Sequence, residues 1–320
     1  MVQGKQIKTM IKSNIPILRG RTTVLTLKNK KAANEKVSLL SIYDFPFAQL
    51  AEKAGLDVII VGDSLGMTLL GHKNTLPVTM DEMISHAAAV RRGTENIFVV
   101  GDMPFLSYQE SDSEAIRNAG RFIKEAGCEA VKCEASKHLI SRIKAIADSE
   151  ILVMGHIGLN PHKIHEMGGY RIQGKTVESA IELLETAIAL EKAGVFALLV
   201  EGATEEVTGM LRDHLQIPVY GIGSGRKVDG HLLIGHDLLE LYYGFTKLPT
   251  YIKRYFPKSK GNKTVGQMIL EVFSSYVVDV KNGKYPTKAN LHKMDPQEFK
   301  AVLKRMTEMD TIIITNTSAK

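Results

Sequence analysis

Five residues in this chain have the types and the spacing to do chemistry together: Asp63, Asp102, Glu134, His156 and Glu201. Each closes a short apolar run, as Asp63 closes "LDVIIVGD". Singly, each has a plain explanation, because a strand must leave the core somewhere. Together they do not, since three clustered carboxylates repel one another unless a cation or shared protons compensate. Asp63, Asp102 and Glu134 offer oxygen-only ligands, which suit a hard divalent ion such as Mg²⁺ that keeps positions open for water and substrate. Zinc suits the set less well, although His156 keeps it and other divalent metals open.

Two further features give such an ion something to act on. In "VKCE" the two-residue period of a strand puts Lys132 and Glu134 on one face and Cys133 on the other. Lys132 then faces the acids, where its ammonium can hold an anionic group; a surface ion pair is the alternative. Glu201 ends an apolar strand far in sequence from the other acids, so burial would raise its pKa toward a useful general-base value. Its alternative is a structural ion pair with a loop Lys or Arg. A metal chelating a 2-oxo acid, a lysine on the acid's carboxylate and a base beyond it describe proton abstraction next to a carbonyl.

These residues need a scaffold that brings strand ends to one place. From about residue 36 onward, short Val/Ile/Leu-rich runs alternate with helical patterns, the mark of βα units and a parallel sheet. Seven strands are read at "VSLLSIY" (37–43), "DVIIVGD" (57–63), "IFVVGDM" (97–103), "EAVKCE" (129–134), "ILVMGH" (151–156), "FALLVE" (196–201) and "IPVYGIG" (217–223). Thr79-Met80-Asp81-Glu82 is a capping box for a helix running to about Arg92. "EKAGLDV", "EAGCEA" and "EKAGVFA" each put a Gly between a helix and the next strand. "HLLIGHD" (231–237) follows the seventh strand with too few residues for a crossover helix. Residues 230–242 therefore read as a helix after Asp229, and "TYIKRYF" (250–256) as strand eight. The sum is an α/β chain forming a (β/α)8 TIM-type barrel with additional terminal helices, in which the C-terminal strand ends meet at one mouth. A doubly wound open sheet is the runner-up.

The segments divide into a basic N-terminal extension (1–21), a barrel (22–286) that includes a helix over 264–282, and a C-terminal extension (287–320) with one short helix. Val265, Met268, Ile269, Val272, Phe273, Tyr276, Val277 and Val280 make an apolar stripe that the barrel or another subunit must cover. Asp295-Pro296 opens the last helix, with Phe299, Val302, Leu303 and Met306 on one face, and the final "NTSAK" should be frayed.

The bulk composition excludes several classes. The 320 residues are 44% hydrophobic and 24% charged, ordinary for a globular chain with a full core. The two cysteines, Cys128 and Cys133, give neither a disulfide framework nor a zinc spacing, which points to a reducing cytoplasmic compartment. No run approaches a membrane span, and no secretory signal opens the chain. The net charge of +6 is scattered rather than gathered beside aromatics, which argues against nucleic acid and for a small anionic substrate. The first 34 residues hold Lys and Arg but no Asp or Glu; with little Ser they read as a basic tail in preference to an organellar presequence.

Stretches in order from about Thr22 to Pro286 resemble one family. They are "YDFPFAQLAEKAGLDVIIVGDSLGM", "TLPVTMDEMISH", "GDMPFLSY", "EAGCEAVKCE", "MGHIGLNPH", "GGYRIQGK", "ALEKAGVFALLVEG" and "IPVYGIGSG" followed by "DGHLLIGHDLL". They are similar to the ketopantoate (3-methyl-2-oxobutanoate) hydroxymethyltransferases. The resemblance implies transfer of a one-carbon unit from the co-substrate 5,10-methylenetetrahydrofolate to 3-methyl-2-oxobutanoate, giving 2-dehydropantoate for pantothenate biosynthesis. It implies magnesium on Asp63, Asp102 and Glu134, substrate contacts from Asp63, Ser64, Asp102, Lys132 and His156, and Glu201 as proton acceptor. It also implies a homo-oligomer, commonly a decamer. Departures are Ala135-Ser136 where the family usually has Gly-Gly, expected to narrow the loop beside the metal, and "GIGSG" for the commoner "GIGAG".

Two rivals stand beside this reading. A Mg-dependent carbon–carbon lyase on a related barrel would use the same metal chemistry, but such lyases resemble one another in a cysteine-bearing mobile loop, and no Cys occurs outside 128 and 133. A non-catalytic metabolite-binding barrel leaves the acid set without a purpose. Weaker motifs are "GIGSGR", a tight turn more than a dinucleotide fingerprint because Arg226 replaces the third Gly; "HKIH" (162–165), read as surface polarity; and "MGGYRIQGK" (167–175), equally a mobile lid or a plain loop.

Overall fold

The structure, a computed structural model, describes residues 20–241, 249–253, 255 and 263–317. Eight parallel strands close on themselves in chain order: β1 (Val37–Ser41), β2 (Val58–Val61), β3 (Phe98–Asp102), β4 (Ala130–Glu134), β5 (Val153–Gly158), β6 (Ala197–Glu201), β7 (Val219–Ile222) and β8 (Gly230–Ile234). The seam is the β1/β8 pairing, from Val37 opposite Gly230 to Ser41 opposite Ile234. The helices, in chain order, are α1 (Val24–Ala32), α2 (Phe45–Ala54), α3 (Leu65–Thr68), α4 (Met80–Arg92), α5 (Asp112–Lys124), α6 (Ile140–Asp148), α7 (Ile164–Met167), α8 (Val177–Lys192), α9 (Glu205–His214), α10 (Gly235–Leu238), α11 (Val265–Lys281) and α12 (Pro296–Thr317).

Strand alternation sorts the apolar residues into two layers. Leu39, Val58, Ile60, Phe98, Val100, Met154 and Leu199 fill the barrel interior together with Leu27 of α1. Leu40, Ile59, Val61, Val99, Val131, Cys133 and Leu198 face outward and pack under the helices. Local signals fix where the strands begin. Thr79 and Glu82 form the expected reciprocal cap at the start of α4. Gly55, Gly127 and Gly194 take φ of +74°, +73° and +93°, the left-handed conformation that lets each preceding helix turn into its strand.

The eighth strand differs from expectation. β8 is Gly230–Ile234, and residues 235–238 form a single helical turn instead of continuing a helix over 230–242. In the segment "TYIKRYF", Arg254 and Phe256 lie outside the described residues, and the described ones form no strand. No crossover helix is needed here because β7 has only four residues, rising roughly 13 Å. The seven residues 223–229 can span roughly 23 Å, enough to return to the start of a parallel neighbour without a helix.

The apolar stripe of the C-terminal helix covers the resulting bare flank. In α11, Ile269, Val272, Phe273, Tyr276, Val277 and Val280 are buried, while Val265 at its start is exposed. The stripe packs on α2 and β1. The Tyr276 hydroxyl lies 2.9 Å from the Leu39 carbonyl oxygen and 2.6 Å from that of His231, so it touches both strands of the seam. The last helix, α12, runs 22 residues, longer than expected, and lies along α8. Its Glu298 carboxylate accepts from the Val177 N–H at the start of α8. Val302 is buried and Leu303 is exposed. Of the final "NTSAK", Asn316 and Thr317 are helical and residues 318–320 lie outside the described residues.

Candidate active site

The C-terminal strand ends open into one pocket of about 460 Å³. Asp63, Ser64, Asp102, Lys132, His156 and Glu201 all line it. Strand period explains the choice: in β4, Lys132 points inward while Val131 and Cys133 join the outer layer. Lys132 and Asp102 face each other from adjacent strands, with Nζ 2.6 and 2.7 Å from the two carboxylate oxygens. The pair is buried at 5% and 2% exposure, so neither charge is screened by water. Burial opposes the charge on Lys132, but Asp102, Asp63 and Glu134 overcome it and raise its pKa, keeping it cationic. Burial raises Asp102 to about 6 in spite of Lys132, and Asp63 adds to the rise.

The other two acids converge with a histidine. Asp63, two residues beyond β2, lies with its Oδ2 2.9 Å from His162 Nε2. Glu134 accepts the His162 backbone N–H at 3.0 Å, and its other oxygen, Oε1, is buried without a hydrogen-bond partner among the described residues. Burial would raise the pKa of Asp63, but the hydrogen bond and charge of His162, with Lys132, hold it below the usual range. Glu134 moves the other way, raised by burial against the pull of His162, His156 and Lys132. Ligand atoms of Asp63, Glu134 and His162 lie within 4.8 Å of one another, all buried.

This set differs from the oxygen-only set of Asp63, Asp102 and Glu134. The carboxylate of Asp102 is taken up by Lys132, though its Oδ2 also accepts the Asp63 backbone N–H at 3.1 Å and so stays beside the cluster. The motif "HKIH" predicts surface polarity, yet the His162 side chain is only 5% exposed, while His165 three residues on is exposed. The signal that could have found it is Asn160-Pro161, which starts a tight turn just beyond β5. Asn160 donates to the Ala135 carbonyl at 2.8 Å and folds that turn over the mouth.

His156 and Glu201 occupy the neighbouring strands β5 and β6. His156 Nε2 lies 3.2 Å from Glu201 Oε2, and Nδ1 lies 3.8 Å from Glu134 Oε1. Burial and the nearby Lys132 lower the His156 pKa to about 3, so its imidazole is neutral. Burial raises Glu201 to about 7, with Lys132 opposing and Asp63 adding to the rise. A quarter of its side chain remains open to the pocket. The Ser64 hydroxyl pairs with Tyr43 Oη at 2.8 Å. Tyr170 and Ile172 of the glycine-rich segment also line the pocket, and Gln173 ties that segment to the exit of β6 through the Gly202 carbonyl at 2.8 Å. The "GIGSG" turn is anchored by Ser224, whose hydroxyl donates to the Val200 carbonyl at 2.7 Å.

The profile of the ketopantoate hydroxymethyltransferase family matches residues 21–288. The chain belongs to that family. A 3-methyl-2-oxobutanoate hydroxymethyltransferase of Alkaliphilus metalliredigens is 46% identical over 279 residues, covering 87% of this chain and 95% of the relative. Another, of Syntrophomonas wolfei, is 44% identical over 266 residues, covering 83% and 93%. Among solved structures, 2,3-dimethylmalate lyase, a PEP mutase/isocitrate lyase superfamily member, superposes with a TM-score of 0.51 at 14% identity, over 67% of this chain and 79% of that one. At that identity the likeness is one of fold, so it gives the lyase reading no support beyond the shared barrel. The family match ends at residue 288, so α12 lies beyond it.

Proposed function

We propose that the protein transfers a hydroxymethyl group from 5,10-methylenetetrahydrofolate to 3-methyl-2-oxobutanoate, forming 2-dehydropantoate. The observation that carries the reading is Glu201, a carboxyl held at about 7 in the same pocket as a buried, charged Lys132. A base of that pKa is half ionised near neutral pH, where proton abstraction needs it.

In this reading the Lys132 ammonium and the Ser64 hydroxyl hold the carboxylate of the 2-oxo acid. Glu201 removes the proton from the branched carbon next to the carbonyl, and the resulting enolate carbon bonds to the folate-borne methylene. For this the methylene bridge opens with water: both of its C–N bonds break, N5 and N10 each take a proton, and the carbon keeps the water's oxygen at the formaldehyde level. After the new C–C bond forms, that oxygen takes a proton, such as the one Glu201 removed, to become the hydroxyl. Neutral His156, 3.2 Å from Glu201, packs beside the base without a hydrogen bond to it and without competing for its charge.

The residues present fit a divalent cation. Asp63, Glu134 and His162 offer buried donors close together, and Glu134 Oε1 and His162 Nδ1 have no hydrogen-bond partner among the described residues. Asp63 and Glu134 would hold the ion with His162, and Asp102 would join through the oxygen beside Asp63; magnesium suits the carboxylates, and the imidazole admits other divalent metals. A cation bound there supplies Lewis-acid polarisation of the 2-oxo group and stabilises the charge left by the departing proton.

The test is to incubate the protein with Mg²⁺ and 3-methyl-2-oxobutanoate, with and without 5,10-methylenetetrahydrofolate, and to follow 2-dehydropantoate by mass spectrometry. A product that appears only with folate is expected, and its absence sinks the transferase reading. Cleavage of an acidic 2-oxo or 2-hydroxy acid instead would favour the lyase. The same reading carries a cytoplasmic location, which the free, buried thiols of Cys128 and Cys133 suit. It also carries a homo-oligomer, which light scattering would count. Among the described residues no helix is long and apolar enough to cross a membrane.

A further inference from the structure

One buried acid in the pocket has no part in the chemistry above. Asp237 stands on the single turn α10, directly after β8, and lines the same pocket as Glu201. It is 2% exposed, and neither Oδ1 nor Oδ2 has a hydrogen-bond partner among the described residues. Asp237 is outside the Asp63, Glu134 and His162 cluster. The residues that line the pocket from the same end of the chain include Ile234, Pro249 and Tyr251. Burial pushes its carboxyl up to about 7. A buried carboxyl with both oxygens unmatched is costly to keep, which calls for a partner that arrives from outside.

The partner's chemistry follows from the two acceptors. A 2-oxo acid brings only acceptors and a like charge, so it cannot serve. A flat group with two N–H donors side by side fits both oxygens at once, as a guanidinium fits a carboxylate. The 2-amino-4-oxo ring of a folate carries that pair at N3–H and the 2-amino group. The volume of about 460 Å³ leaves room for such a ring beside a five-carbon acid.

We propose that Asp237 recognises the pterin end of the one-carbon donor, its carboxylate turning out of the closed position it holds in the free protein so that the two oxygens accept from N3–H and the 2-amino group. The assignment rests on the folate-dependent reading and names the residue that reads the donor.

The experiment titrates tetrahydrofolate and its 2-desamino-2-methyl analogue into wild type and Asp237→Asn, with folate-independent deuterium exchange of 3-methyl-2-oxobutanoate as the check that the variant is folded. Wild type should bind the analogue about ten- to a hundredfold more weakly than the parent. Asp237→Asn should lose a similar factor for the parent and little more for the analogue, while exchange persists. Equal wild-type affinity for the two folates overturns the assignment and needs no variant at all. So does unchanged tetrahydrofolate affinity in Asp237→Asn. A wild type that forms folate-dependent product but meets either of these outcomes refutes Asp237 alone; a wild type that forms none refutes the folate reading as well.

Discussion

Replacing Glu201 by Gln isolates the proton-transfer step. The amide keeps the shape of the side chain and its place 3.2 Å from His156, but cannot accept a proton at neutral pH. The group removed is a carboxyl raised to about 7 by burial, so its loss should lower the exchange rate by a factor on the order of 10²–10⁴, the usual contribution of general-base action. The assay is solvent-deuterium exchange at the branched carbon of 3-methyl-2-oxobutanoate, followed by NMR without folate. Binding of the 2-oxo acid, by calorimetry, should change little, because Lys132, Asp102 and Ser64 remain. The wild-type pH profile gives a second reading of the same group. The base works only when deprotonated, so activity is full above its pKa and falls as pH drops through about 7. From about pH 8 to about pH 6 the ionised fraction falls from about 0.9 to about 0.1, and exchange should fall about tenfold with it. Exchange in Glu201→Gln within tenfold of wild type, with the same pH profile, would refute the assignment and leave some other group in the pocket as the base.

Three further outcomes follow from the geometry. His162→Ala should weaken divalent-ion binding at least about tenfold, read from the visible absorption of Co²⁺ titrated into the protein; an unchanged spectrum and affinity would restore Asp63, Asp102 and Glu134 as the whole ligand set. Gly230→Ala should cost on the order of 3 kcal/mol in urea unfolding, because the new methyl would stand 2.3 Å from the Val37 carbonyl oxygen across the β1/β8 seam; a cost near zero would mean that the seam can open to admit it. Tyr276→Phe should cost about 1–2 kcal/mol by the same measurement, since the Leu39 and His231 carbonyls lose the one hydroxyl that reaches them from α11.

Much of this site was legible in the sequence because a parallel barrel converts sequence position into spatial position. A residue that closes an apolar run must stand at the same mouth as every other such residue, so Asp63, Asp102, Glu134, His156 and Glu201 could be gathered without coordinates. The two-residue period then decided that Lys132, not Cys133, joins them. What the rule cannot reach is a residue brought in by a loop. His162 stands beyond its strand in a turn whose neighbours, Lys163 and His165, are polar, and only the fold of Asn160-Pro161 over β4 and β5 carries it inward.

The misplaced eighth strand shows the same rule failing from the other side. Requiring a helix between β7 and β8 assumed that strands are long enough to need one, and a four-residue strand followed by a seven-residue loop does not. That assumption buried "HLLIGHD" inside a helix, where Asp237 would be one polar residue among many. With β8 at Gly230–Ile234, Asp237 stands just beyond a strand end as Asp63 does, and the reasoning that singled out Asp63 applies to it unchanged. The difference between the two acids lies in their partners: Asp63 has His162 and the cation that the cluster fits, whereas the two oxygens of Asp237 have none among the described residues. A buried acid just beyond a strand end, without a partner among the described residues, points to the ligand that completes it.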